Sequence, residues 1–85
     1  MSLNAPTEFN KSGSKYLREI SLIDGKYVDV YAVLEAFNVI SPPVQHAIKK
    51  LLCAGIRGKG DELQDLQEAQ DAIARAIQMC IQKIK

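Results

Sequence analysis

Tryptophan is absent from these 85 residues, histidine occurs once, and cysteine and methionine occur twice each. A lone His46, with Cys53 and Cys80 far from it and from each other, excludes a zinc site built from closely spaced Cys and His ligands. Both thiols fall on or beside apolar helical faces and read as small buried hydrophobes in a reducing compartment. An excess of charge of one sign is also lacking: 11 Lys and Arg stand against 10 Asp and Glu, a net charge of +1. No global field therefore steers the chain onto nucleic acid or an anionic membrane, and any basic function must be local. No run approaches the ~18 apolar residues of a membrane span, and the N-terminus carries neither the charged nor the apolar region of a signal peptide. These absences predict a cytoplasmic protein with no membrane partner.

What is present describes a folded domain. Hydrophobic residues make up 47% of the chain and charged residues 25%, ordinary values for a globular protein, and the length suits one domain of marginal independent stability. Residues 1–15 mix Pro, Asn, Ser and Gly without periodicity and read as a flexible N-terminal arm, leaving residues 16–85 as a single small helical domain. In EISLIDGKYVDV, Asp24-Gly25 lies between two runs rich in Ile, Val and Tyr, which predicts a small β-hairpin at about 18–29. Three helices follow, at about 30–38, 42–54 and 61–84. Asp29 is the cap expected for the first; Ser41 and Pro42 start the second; Gly55 supplies its left-handed stop. The fold class is mainly α (α+β), an antiparallel helical hairpin with a short helix across it and the β-hairpin at the N-terminal side.

The last helix carries the strongest pattern. Leu63, Leu66, Gln70, Ile73, Ile77, Cys80 and Ile84 recur at alternating spacings of three and four, one apolar seam along a single helix. A seam of this length needs a covering surface, from the other helices or from another chain, and self-association into a homo-oligomer through these residues is the expectation. Gln70 is its one amide, a residue that at such positions fixes register by pairing with its counterpart or else points to solvent.

Candidate chemistry is sparse. The loop from Gly55 to Gly60 precedes a helix, as phosphate-cradling loops do, but it follows a helix rather than a strand and has no Gly-Lys-Ser/Thr ending. Lys49, Lys50, Arg57 and Lys59 could gather into a basic patch for phosphate or nucleic acid, although Lys49 and Lys50 equally suit a helix C-terminus and no aromatic residues interleave for base stacking. His46 has no Ser, Cys or carboxylate placed by sequence to make it a base. Asp61, Glu62, Asp65 and Glu68 share the spacing of the magnesium-binding helix of all-α nucleotide pyrophosphohydrolases, with Glu35 the one further contributor; the same residues complement the helix dipole. No catalytic residue, metal or cofactor is assigned.

The stretches DVYAVLEAFNV and QHAIKKLLCAGIRGKGDELQDLQEAQDAIARAI, covering roughly residues 29–80, resemble small uncharacterised proteins of tailed phages and prophages. The resemblance extends to a wider phage family whose members often carry the label nucleotide kinase. It implies a phage or prophage origin and action in the bacterial cytoplasm; kinase activity does not carry across, since the phosphate-binding motif is missing. The sequence therefore points to a non-catalytic binding or interaction module. A nucleic-acid-binding accessory protein and a magnesium-dependent nucleotide-processing enzyme are the alternatives, and a different protein partner for the seam stays open.

Overall fold

Asp29 begins the helical part of the chain. The structure is a computed structural model in which residues 14–84 are described; the expected arm at 1–15 lies, apart from its last two residues, outside them. Helix α1 spans Val30–Ala36, and the Asp29 carboxylate accepts from the Ala32 N–H at 2.9 Å, satisfying one of the donors that a helix start leaves free. Its end differs from the expected residue 38. Asn38 adopts φ 55°, its N–H donates to the Glu35 carbonyl at 3.0 Å, and the Val39 N–H donates to the Leu34 carbonyl at 2.9 Å. This is a Schellman stop in which Asn38 is the left-handed cap and not a helical residue.

Helix α2 spans Pro42–Leu52, with proline in its first turn as expected. Ser41 makes no side-chain cap bond; Pro43 at the second helical position has no N–H for its hydroxyl, and the Ser41 carbonyl accepts the Gln45 N–H at 2.9 Å as the first bond of the helix. The Gln45 amide Nε2 donates to the Val39 carbonyl at 2.8 Å, tying the short link back to α2. Helix α3 spans Lys59–Ile84, starting two residues before the expected Asp61 because Gly58 accepts the Asp61 N–H and so begins the first turn earlier.

Before α1 the chain is mostly irregular. Among the described residues a 3-10 turn covers Ser14–Tyr16, and Ile23 pairs with Tyr27 in an isolated antiparallel bridge. Asp24 and Gly25 have φ of 54° and 69°, and the Lys26 N–H donates to the Ile23 carbonyl at 3.1 Å. That is the geometry expected of a tight Asp-Gly hairpin turn, with Lys26 as one extra residue before the bridge closes. Among the described residues no strand extends beyond this bridge.

The main contact of the fold is antiparallel, α2 on α3, with α1 resting more lightly on α2. Small residues make it. The buried apolar residues are Leu34, Ala47, Ala69 and Ala72, and no large side chain among the described residues is fully enclosed. On α3 the inward stripe is Asp65, Ala69, Ala72 and the half-buried Ala76, at spacings of four, three and four. Alanine lets helix axes approach to the short end of the usual ~8–10 Å range, but it covers little apolar area. The radius of gyration is 16.2 Å, where a compact chain of this length has about 12 Å; the 26 residues of α3 alone make a rod of about 39 Å.

Asp29→Ala removes the α1 cap without touching the α2–α3 contact. It is expected to lower stability by about 1 kcal/mol, read as a lower urea midpoint with an unchanged slope; an unaltered midpoint would show that the cap bond contributes nothing.

Candidate functional site

Two features stand out on this scaffold, an ion cluster at one end of the helical hairpin and an apolar face along its side. The cluster is organised by Asp65, which is 3% exposed. Its Oδ2 accepts the Gly55 N–H at 3.2 Å, and its Oδ1 accepts from Arg57 Nη2 at 2.9 Å and from Lys50 Nζ at 3.4 Å. Lys50 Nζ also lies 2.6 Å from Glu68 Oε1, while Gln64 Nε2 donates to Glu68 Oε2 at 3.0 Å. Arg57 reaches Asp61 at 3.6 Å on the exposed side. One carboxylate thus joins the end of α2, the turn and the first two turns of α3.

Gly55 is required here. Its φ of +77° turns the chain out of α2 so that its N–H faces Asp65, and a Cβ at this position would stand 3.1 Å from the Glu62 Cβ. The left-handed conformation and the close approach both select glycine.

The titration behaviour follows from the contacts. The Gly55 N–H, then Lys50 and Arg57, hold the Asp65 carboxyl below its usual range despite the opposing effect of burial. Lys50 and Gln64 lower Glu68. Lys50 is raised, first by its bond to Glu68 and then by Asp65. Each group is held in its charged form by its partners.

The four basic residues singled out from sequence are treated unequally. Lys49, Lys50 and Arg57 border one depression of about 220 Å³, and Asp65 is part of its wall. Lys50 and Arg57 are engaged by carboxylates there; Lys49 is exposed and has no ion-pair partner among the described residues. Lys59 is placed by its backbone alone, as the first residue of α3. His46 lies elsewhere, beside Asp29, Tyr31 and Lys49 in a hollow of about 410 Å³ between α1 and α2. Of the acidic residues, Asp61, Asp65 and Glu68 face cations, and Glu35 belongs to α1. Among the described residues no three His, Cys, Asp or Glu side chains converge as a metal-ligand group.

The seam is placed on the outside. Leu63, Ile77 and Ile84 are 64%, 54% and 84% exposed, and Leu66, Gln70, Ile73 and Cys80 are exposed too. At about 100° per residue, it is centred roughly 95° around α3 from the alanine stripe that meets α2. Cys53 is half-buried but Cys80 is exposed, which corrects the expectation of two buried thiols: Cys80 belongs to the outward stripe. Sequence reading missed that α2 continues this face. Val44, Ile48 and Leu51 form with Ile73, Ile77 and Cys80 an apolar groove of about 370 Å³ between the two helices. Val44, Ile48 and Leu51 stand at spacings of four and three, one helical stripe, but spacing alone does not give its direction, which is sideways rather than inward.

The cluster gives stability a defined pH dependence. Asp65 and Glu68 titrate lower when folded, so their contribution is present above the ordinary carboxylate pKa near 4 and is lost as pH falls through the lowered folded values. Lys50 titrates higher when folded, so its contribution is present below about pH 10.4 and lost as pH rises through the raised value. Asp65→Asn is expected to lower the urea midpoint at pH 7 and to flatten its fall between about pH 5 and pH 2; parallel acid limbs for variant and wild type would rule out a role for the cluster. In comparisons with family models, curated proteins and solved structures nothing matches this chain.

Proposed function

We propose that this chain is a non-catalytic interaction module, of phage or prophage origin and cytoplasmic, that self-associates through α3. The observation that supports it most is the exposure of the seam. Seven residues at heptad-like spacing, five of them Leu or Ile, stand outward on a 26-residue helix, and an amphipathic helix of this kind gains its stability by covering its apolar stripe. Gln70 pairs with its counterpart across the contact in this reading and fixes the register. The origin rests on the resemblance carried by residues 29–80.

The nucleic-acid alternative ranks second because Lys50 and Arg57 already face Asp65 and Glu68, so a phosphate would have to displace a buried carboxylate. The magnesium-enzyme alternative meets the same obstacle from the other side, since its carboxylates hold cationic side chains.

Light scattering across a concentration series tests the reading. A mass above that of one chain, falling on dilution, is expected, together with a shift toward one chain for Ile77→Glu, which places a charge in the middle of the seam. A single-chain mass at every concentration would overturn it.

A further inference from the structure

We propose that two copies meet through the combined side face of α2 and α3, closing by a two-fold axis into a four-helix bundle; the inference rests on the self-association proposed above and specifies its surface and stoichiometry. An α3 seam acting alone would make a two-stranded coiled coil with α2 as a bystander. The position of α2 argues against that arrangement. Val44, Ile48 and Leu51, at spacings of four and three, open on the same side of the hairpin as Ile73, Ile77 and Cys80, and every residue lining the groove between them is apolar. A coiled coil through α3 alone would leave these α2 side chains at its edge, in water.

The uncovered surface on this flank is apolar: Leu51, Ile73, Ile77 and Ile81 are 52%, 44%, 54% and 48% exposed, large side chains of the kind that fill the core of a standard interface, which takes roughly 800 Å² from each partner. The monomer also lacks what a helical domain normally supplies to itself, because the α2–α3 contact buries alanines and leaves the larger side chains on the flank. A second layer of helices is the usual remedy, since a helix pair with an apolar side must place it against another element. A copy of the same hairpin offers both complementary features on one face: the groove between α2 and α3 receives, and the outward isoleucines of α3 fill. A face that both gives and receives is self-complementary, which is the condition for a closed two-fold contact rather than an open chain of subunits.

The experiment compares sedimentation equilibrium of the wild-type chain, Leu51→Glu, Ile77→Glu and Tyr31→Glu. Leu51 is 52% exposed, so its substitution disturbs the monomer little, and far-ultraviolet circular dichroism reports that the helices persist. Leu51→Ala trims the same side chain without adding charge and checks the direction of the effect. A wild-type dimer is expected, with its dissociation constant raised roughly tenfold or more by Leu51→Glu and by Ile77→Glu, raised less by Leu51→Ala, and unchanged by Tyr31→Glu on α1. If Ile77→Glu dissociates the dimer while both Leu51 variants remain as tight as wild type, the contact is through α3 alone; this inference then fails and the self-association reading stands. A wild-type assembly larger than a dimer overturns the closed two-fold contact, and a wild-type monomer overturns both.

Discussion

The Asp65 carboxylate sets the relation between the two long helices. It receives a backbone N–H from the turn, a guanidinium from the turn and an ammonium from the end of α2, and a buried charge tolerates loss of such partners poorly. Those contacts leave little freedom in how α2 lies along α3. With that relation held, Ala47, Ala69 and Ala72 meet and the helices lie close. The closeness has an effect on every larger residue nearby. Leucine and isoleucine do not fit between the axes, so they stand on the flank, and the apolar side face is the counterpart of the alanine contact.

Much of this was legible in the sequence where the signals are local. Asp29, Pro42 and Gly55 act within a few residues of themselves, and each does what its chemistry predicts at the boundary where it stands. Ser41 failed as a side-chain cap; Pro43, one of the two positions whose N–H a cap hydroxyl serves, has none to give. The Schellman stop at Asn38 was not legible, because it depends on the φ that the chain adopts.

The site was less legible, and for a physical reason. Hydrophobic periodicity marks the stripe of greatest side-chain volume, which on α3 is the Leu and Ile seam; the stripe that faces α2 is built from alanine around a carboxylate and gives almost no such signal. The eye is thus drawn to the outward face and misses the inward one. Charge has the same limit. Lys50 and Arg57 read as a basic patch because their carboxylate lies fifteen and eight residues further along the chain, beyond any pairing rule for a single helix. Only the turn at Gly55 brings the three together.

The hairpin's connectivity has a kinetic consequence. Helices α2 and α3 are joined by a six-residue turn, Cys53 to Gly58, so their mutual contacts are close in sequence and loop closure for so short a segment takes well under a microsecond. Helix formation and hairpin closure are therefore first-order events, independent of how much protein is present. The exposed isoleucine flank has no such tether: any contact it makes with another molecule, native or not, is second-order, so its hazard of non-native association rises with concentration while the closing of the hairpin does not.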